Sequence, residues 1–308
     1  YFKCHFTREY MAALLTSVLD NSDKVSGYIG ECRECGIALL PPDINRSADR
    51  FTVEEGGIRF GLVAIKNIGR GFIQAVMRER ETGGDFTSLY DFCSRMNGSE
   101  MNKRAVENLI RSGAFDSMGA RRSQLIKVYE TVMDSVAAQQ RDNVEGQMDF
   151  FSMAAGFADK PEPVKEIPLP DIPEYTPEEL MTMEKATTGL YLSGHPMDHY
   201  RDAVQKLKAP TIVSILEDFA REGGPERFAD GQRVTIAGVI TSSKTKTTKN
   251  NSLMAYVMVE DDTASMELLC FSRVLETCGA YMKENQAVVV KGRLSVRDEK
   301  APQIMCDS

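Results

Sequence analysis

The chain has 308 residues, of which 42% are hydrophobic, and its formal net charge is −8. This length is sufficient for two or three domains with separate cores, and the chain contains neither the roughly eighteen consecutive apolar residues of a membrane span nor a secretory leader. The seven cysteines lack extracellular-type spacing and predict thiols in the reducing cytoplasm. The start at Tyr1 and the end at Ser308, within a strand-like pattern, indicate a fragment of a larger protein.

The first segment is predicted to form two helices and a small β-hairpin. Apolar spacing indicates helices from Thr7 to about Asp20 and from Asp23 to about Cys35. After a break at two prolines, two short apolar runs at 51–53 and 58–60 flank Glu55-Gly56-Gly57, which is typical of a β-hairpin.

A Cys-x-x-Cys pair lies at the end of the second predicted helix. Cys32 and Cys35 could bind zinc only if Cys4 and His5 converged on them. The alternative, which we favour, is that both cysteines pack on a helix that ends at Gly36. We therefore predict no metal site in this chain.

A glycine hairpin at residues 65–71 is the most informative motif. A helix follows it, and a helix N-terminus carries unpaired N–H donors and roughly half a positive charge. Gly69 and Gly71 would let a nucleic-acid backbone approach without meeting a Cβ. The predicted DNA-binding residues here are Lys66, Asn67, Ile68, Gly69, Arg70 and Gly71.

A second hairpin is predicted about forty-five residues later, at 109–115, before another helical run. The segment from Phe60 to Val128 contains eleven Lys or Arg residues and seven Asp or Glu residues. This excess of positive charge could also belong to an ordinary solvated face of the protein. Tandem hairpins in a basic segment predict duplex DNA binding through phosphates rather than bases. The predicted contacts are Arg111, Ser112, Gly113, Ala114, Arg121, Arg122 and Ser123.

The helical region is predicted to end at about Gln140 and to be followed by an isolated aromatic motif. This motif consists of Gln147, Met148, Asp149, Phe150 and Phe151. Its two phenylalanines could fill an apolar pocket on a partner protein, with Gln147 fixing the direction, or could pack back onto the helical domain.

Closely spaced prolines between 154 and 175 predict an extended linker. Thr176-Pro177-Glu178-Glu179 is a capping box that begins the next helix. Ser193-Gly194-His195-Pro196 is predicted to end this helix. His195 and His199 lack the neighbours that a catalytic or metal site requires, which predicts a structural role for both.

The last segment changes to a β pattern and predicts an OB-type barrel. A helical insert is expected at Ser272–Lys283. Five strands are expected around it, at Arg233–Ile240, Leu253–Val259, Met266–Phe271, Ala287–Val296 and Gln303–Cys306. The loop at 242–251 carries Lys244, Lys246 and Lys249 and predicts electrostatic contact with single-stranded DNA, without an aromatic stacking platform.

As a set, the motifs of this chain resemble the C-family replicative DNA polymerases, the alpha (catalytic) subunits of bacterial DNA polymerase III. The motifs that carry the resemblance, in order, are Met11–Leu15, Pro41–Asn45, Ile58–Lys66, Ser112–Asp116 and Gly194–Pro196. Thr7-Arg8 departs from the family pattern, which often has proline and an apolar residue there.

The resemblance implies a C-terminal fragment with a multidomain α+β fold. Its expected parts are the end of the fingers (1–57), a tandem helix-hairpin-helix domain (58–153), the linker (154–175), a connecting helical segment (176–232) and an OB domain (233–308), which we expect to be incomplete. In the family the hairpins hold the product duplex, and the motif at 147–151 stands where the family has its internal site for the β sliding clamp.

The resemblance also bears on catalysis and partners. Nucleotidyl transfer by the parent polymerase requires Mg²⁺ on palm carboxylates, and no Asp-x-Asp pair on a strand occurs here, since Asp261-Asp262 lies in a turn-like setting. We therefore expect no catalytic residue and no cofactor in this chain. The expected partners are primer-template DNA, single-stranded template, the clamp and other replisome subunits. The alternatives are a fragment of a repair ligase or nuclease and a scaffold that does not bind DNA.

Overall fold

The structure is a computed structural model that describes residues 1–18, 22–98, 101–147, 167–221, 223–247, 251–296 and 301–308. It consists of two compact units. The first comprises Tyr1–Leu19 and Cys35–Ser193, and the second comprises Asp20–Glu34 and Gly194–Ser308. Among the described helices, none is both long enough and apolar enough to cross a bilayer.

The N-terminal part of the chain combines helices with a small sheet. Its helices are α1 (Phe2–His5), α2 (Thr7–Ser17) and, in the second unit, α3 (Ser22–Glu34), and its strands are β1 (Ala38–Leu40), β2 (Thr52–Glu54) and β3 (Gly57–Arg59). The predicted hairpin is confirmed as the antiparallel pair β2–β3. Strand β1, which the sequence did not predict, joins β3 in parallel and gives the order β1-β3-β2.

The described part of the first unit also contains further α-helices. They are α4 (Arg70–Gly83), α5 (Leu89–Met96), α6 (Lys103–Arg111), α7 (Arg122–Gln147) and α8 (Pro177–Thr188). The predicted end of the helical region near residue 140 is wrong, because α7 continues unbroken to Gln147.

A cluster of buried aromatic rings joins these helices. The Phe92 ring of α5 makes edge-to-face contacts with Phe72 of α4, Phe86 and Phe115, at centroid distances of 6.3, 5.0 and 5.1 Å. Such pairs add about 0.5–1.5 kcal/mol each to the free energy gained by burying the rings. Phe72 follows the first predicted hairpin and Phe115 lies in the second, so a single core holds both.

The capping box before α8 is confirmed, but the predicted end of this helix at residues 193–196 is wrong, because α8 ends at Thr188 with Gly189 as its left-handed C-cap. The Thr176 hydroxyl accepts a hydrogen bond from the Glu179 N–H at 3.3 Å, and the Glu179 carboxylate accepts one from the Thr176 N–H at 2.8 Å. Residues 167–176 of the predicted linker contain neither helix nor strand.

The second unit is built around a closed five-stranded barrel. Besides α3 and the 3₁₀ helices at Pro196–Tyr200 and Gly279–Tyr281, its described elements are α9 (Arg201–Leu207), α10 (Ile212–Phe219), β4 (Arg233–Thr247), β5 (Leu253–Glu260), β6 (Ser265–Phe271), α11 (Ser272–Cys278), β7 (Ala287–Ser295) and β8 (Gln303–Cys306). The strand order β4-β5-β6-β8-β7 closes the barrel, which confirms the OB-type fold and shows that the expectation of an incomplete barrel is wrong.

Strand β4 is longer than predicted because it contributes to both sides of the barrel. It pairs with β7 through residues 233–239 and with β5 through residues 239–247. The register shifts between Ile240 and Ser242, which lets one strand bend around the barrel. The assignment of Lys244 and Lys246 to a loop is therefore wrong, since both lie on β4.

Candidate nucleic-acid interface

The first hairpin presents an open helix N-terminus to solvent. Asn67 takes the left-handed conformation (φ 62°), and Gly69 is the N-cap of α4 with φ −74° and ψ 145°. Because any residue can adopt that conformation at Gly69, a glycine is needed there only where something must approach closely. Among the residues that the structure describes, no side chain caps α4, and its first turn contains no acidic residue.

Main-chain donors are available at this N-terminus. The first intrahelical bond runs from the Ile73 N–H to the Gly69 carbonyl at 3.1 Å. Within the described ranges, the N–H groups of Arg70, Gly71 and Phe72 have no protein acceptor. Gly69, Arg70 and Gly71 are exposed, while Phe72 is buried and fixes the helix behind them. The geometry is suited to binding an anion.

The loop before α4 is held by two other helices. The Lys66 N–H donates to the Thr187 carbonyl at 2.8 Å, and its Nζ donates to the Ala186 carbonyl at 3.0 Å, both at the C-terminal end of α8. The buried Asn108 of α6 donates through Nδ2 to the Lys66 carbonyl at 2.6 Å. Lys66 is thus exposed but already bound, Asn67 is exposed and Ile68 is half-buried.

The second hairpin is buried. Ser112, Gly113 and Ala114 are shielded from solvent, and each of their N–H groups donates to a carbonyl oxygen of α6 at 3.0 Å. The half-buried Arg111 pairs with Glu107 at 2.7 Å. In contrast to the first hairpin, these predicted DNA-binding residues present no free main-chain donor to a phosphate.

The N-terminus of α7 is occupied by the chain's own carboxylate. Glu174 accepts hydrogen bonds from the N–H groups of Arg122, at 2.7 Å, and Ser123, at 2.9 Å. Burial alone would raise the pKa of Glu174, but hydrogen bonds from Ser123, Tyr175 and Arg122 outweigh burial and hold the pKa below its ordinary value. The sequence analysis did not predict that Glu174 would bind the N-terminus of α7.

The Arg122 side chain is part of a buried ion-pair network. Its guanidinium contacts Asp116 at 2.7 Å and Glu184 at 3.1 Å, and Glu184 is 1% exposed. Burial alone would lower the pKa of Arg122, but hydrogen bonds to Asp116 and the charges of both carboxylates raise it above its ordinary value. Arg122 thus braces α7 against α8, while the half-exposed Arg121 pairs with Asp171 at 3.2 Å.

The barrel carries a basic and aromatic surface on its outer face. Lys244 lies beside Tyr256, and Lys246 lies beside Met254, which in turn pairs with Phe271. Both lysines are exposed, and Phe271 is 44% exposed. The sequence analysis found no stacking platform because it searched the loop, whereas these rings lie on the neighbouring strands. Lys249 lies outside the described residues.

Most of the aromatic motif at residues 147–151 lies outside the described residues. Gln147 is the last residue of α7. Its side chain and the residues Met148, Asp149, Phe150 and Phe151 lie outside the described residues, so the sequence prediction for this motif is untested.

Several other polar residues have structural roles. The Asp261 carboxylate accepts hydrogen bonds from the N–H groups of Ile212, at 2.7 Å, Thr263 and Ala264, and so caps α10. His195 accepts a hydrogen bond at Nδ1 from the Met197 N–H, which confirms its structural role.

Cys32 is buried in α3, but Cys35 is exposed beyond the end of that helix. In the ranges that the structure covers, no three potential ligands converge on a metal position.

Known proteins match both parts of the chain. Residues 36–125 match the family described as helix-hairpin-helix motif, and residues 234–308 match the family described as OB-fold nucleic acid binding domain. The DNA polymerase III subunit alpha of Saccharopolyspora erythraea is 36% identical over 301 residues, covering 97% of this chain and 24% of that protein.

Two further relatives show the same extent of similarity. The DNA polymerase III subunits alpha of Vibrio cholerae and Haemophilus influenzae are 32% and 35% identical over 299 residues, covering 97% of this chain and 25% of each protein. The chain therefore spans about a quarter of the length of the curated relatives it matches.

Proposed function

We propose that this chain, which belongs to the family of DNA polymerase III alpha subunits, is the part of a replicative polymerase that holds DNA and tethers the enzyme to its sliding clamp. The observation that carries the first half of this proposal is the open N-terminus of α4, with three unpaired N–H groups beside the exposed Arg70. These donors recognise phosphate oxygens and no particular base, as a polymerase that copies any sequence requires.

The parent protein is proposed to be a DNA-directed DNA polymerase that acts in the cytoplasm, and this chain supplies none of its catalytic residues. Polymerisation requires carboxylates that hold two Mg²⁺ ions. The described residues do not fit such a site, because Asp261 is already bound by three main-chain N–H groups and no acidic cluster is present among them. The chain alone is therefore expected to be inactive.

The barrel is proposed to contact single-stranded template. Tyr256 and Phe271 offer rings on which bases can stack, and Lys244 and Lys246 on the adjacent strand offer charge for the backbone. The fold itself supports this assignment, since oligonucleotides bind OB barrels on this face.

Salt-dependent binding of duplex DNA tests the first half of the proposal. We expect the chain to bind a fluorescent primer-template duplex with an affinity that falls steeply with salt, because each phosphate contact releases counterions. Arg70→Ala should weaken binding and reduce the slope of log K against log salt by about one. Arg78→Ala is the matched control, because this exposed residue lies two turns further along α4 and its loss changes the net charge equally.

Two outcomes would contradict the proposal that the N-terminus of α4 binds DNA. A chain that binds no duplex at low salt would favour the scaffold alternative. Equal effects of Arg70→Ala and Arg78→Ala would mean that net charge, and not the N-terminus of α4, determines affinity.

Clamp binding is tested separately through the motif at 147–151. Replacing Phe150 and Phe151 by alanine should abolish binding to the immobilised β clamp and leave duplex affinity nearly unchanged, because the aromatic side chains would fill the partner's pocket. In the parent polymerase this tether would raise the effective concentration of the enzyme at the primer end. Clamp binding that survives the double substitution would refute the proposal. Other replisome subunits remain expected partners.

A further inference from the structure

The two hairpins differ in whether their phosphate-binding donors are available. At α4 the first-turn N–H groups face solvent, whereas at α7 the Glu174 carboxylate binds the N–H groups of Arg122 and Ser123 with both oxygens, at 2.7 and 2.9 Å. Two carboxylate oxygens on two consecutive helix N–H groups reproduce the way in which a phosphate sits on a helix N-terminus. The ligand at the second hairpin is therefore an anion supplied by the chain itself.

The neighbouring residues extend this contact. Arg121 donates through Nη1 to the Asp171 carboxylate at 3.2 Å and to the Ile172 carbonyl at 2.7 Å. Gln124 donates through Nε2 to the Pro170 carbonyl at 2.7 Å. We refer to residues 170–174 as the strap. It engages the first-turn donors and the cation that were predicted to bind DNA at the second hairpin.

The described bonds between the strap and α7 are polar, and each is either part-buried or exposed to solvent. Asp171 is fully exposed and Arg121 is about half exposed, so their ion pair contributes little to stability. Residues 170–174 form neither helix nor strand, so no sheet ladder or intrahelical bond holds them in place. An anion of higher charge, such as the DNA backbone, could therefore compete with the strap for the same donors.

We propose that the strap is an intramolecular phosphate mimic that occupies the N-terminus of α7, directly after the second hairpin, so that duplex DNA is held by the first hairpin alone until it displaces Glu174. This inference rests on the proposed DNA-binding function and adds a regulatory contact to it. The buried brace between Arg122 and Glu184 is not part of the exchange, because it lies beneath the N-terminus and keeps α7 in place while the strap leaves.

The test compares duplex affinity in strap variants of the full chain. Glu174→Gln keeps an oxygen that can accept from the N–H groups of α7 but removes the negative charge. We expect this variant to bind a primer-template duplex about two- to fivefold more tightly, which is the effect of one anion at a helix terminus. The slope of log K against log salt should steepen by about one. Asp171→Asn leaves the Glu174 cap on α7 intact and weakens only the contact with Arg121. It should therefore give a smaller gain in duplex affinity.

Glu81→Gln is the control for net charge. Glu81 is exposed on α4 and removal of its charge changes the total by the same amount. If Glu174→Gln binds duplex no more tightly than Glu81→Gln while its circular dichroism spectrum is unchanged, the strap is a permanent part of the fold and the inference is overturned.

The two levels of the proposal can fail separately. Wild-type binding that depends on Arg70 but does not respond to Glu174→Gln would refute only the strap. If neither the wild type nor Glu174→Gln binds duplex, the proposed DNA-binding function fails and the strap inference fails with it. Should Glu174→Gln not fold, Asp171→Asn decides, and a duplex affinity equal to that of Glu81→Gln counts against the strap.

Discussion

Replacing Gly113 by alanine probes how the second hairpin is held. Gly113 has φ +84°, and an added Cβ would lie 2.3 Å from Nη2 of Arg122 and 2.8 Å from Oδ2 of Asp116. The left-handed conformation alone costs an alanine about 1–2 kcal/mol. The clash adds a second cost, because the guanidinium must move away from Glu184.

The size of the second cost follows from burial. The Arg122 and Glu184 side chains are 7% and 1% exposed, so displacing the guanidinium leaves a buried carboxylate without its cation. Breaking such a pair costs about 3–5 kcal/mol when the partner is lost completely. We expect Gly113→Ala to lower the free energy of unfolding by at least about 2 kcal/mol more than backbone strain alone would.

Gly119→Ala is the matched control for this comparison. Gly119 has φ +79° and nothing lies within 4 Å of an added Cβ, so only the backbone cost of about 1–2 kcal/mol applies. Urea unfolding, with hydrogen exchange of α6 and α7 amides to localise the effect, measures both variants. In an Arg122→Met background the extra cost of Gly113→Ala should disappear. Equal destabilisation by the two glycine substitutions in the wild-type background would refute the reasoning.

Three further predictions concern the barrel and the strap. Tyr256→Ala and Phe271→Ala should each weaken binding of single-stranded DNA by about 1–3 kcal/mol, measured by fluorescence anisotropy, and leave duplex binding unchanged; an effect on duplex alone would contradict the stacking role. Although burial acts in the opposite direction, backbone hydrogen bonds hold the pKa of Glu174 below its ordinary value of 4.5. The stability advantage of the wild type over Glu174→Gln should therefore be present above about pH 4.5 and disappear as the pH falls through the lowered pKa, which urea unfolding at several pH values can check. Asp261→Ala should destabilise the barrel unit by about 1–3 kcal/mol, because it leaves the buried Ile212 N–H without an acceptor, whereas Asp262→Ala should change the unfolding midpoint little, since Asp262 is exposed.

Local signals explain what the sequence predicted correctly. The capping box at Thr176 and the glycine turn before α4 depend on residues within a few positions of each other, so the sequence shows them directly. The positions of the barrel strands follow from β-branched and other apolar segments separated by polar turns, and their succession with a helical insert matches an OB-type barrel. These features predicted the helix-hairpin-helix region, the OB-type barrel and the helix that begins at Arg70.

Contacts between distant segments explain what the sequence could not show. The bonds from the α7 N-terminus to Glu174 span 51 and 52 residues, and the ion pair of Arg122 with Glu184 spans 62. The acidic Asp116 lies only six residues before Arg122, but no local pattern indicates that Glu184 buries and neutralises the same guanidinium. Likewise, nothing in the predicted linker indicates that it caps a helix. Burial of Ser112 to Ala114 likewise arises from tertiary packing that a glycine motif alone does not specify.

The end of β4 shows a different limit. Lys244 and Lys246 stand in a polar, Thr- and Lys-rich stretch that is typical of a loop. They extend the strand because β5 offers a partner to each, beyond a bulge that no local pattern marks. Placing these lysines on a strand also brought the aromatic rings of Tyr256 and Phe271 into the same surface.

The most direct test of the central claim follows individual main-chain amides during DNA binding. In ¹H–¹⁵N spectra of the chain titrated with a primer-template duplex, the amides of Arg70, Gly71 and Phe72 should shift first, because they are the free donors. The amides of Arg122 and Ser123 should respond only at higher DNA concentration, when Glu174 is displaced. Spectra in which the duplex binds but the α4 amides do not move would contradict the account.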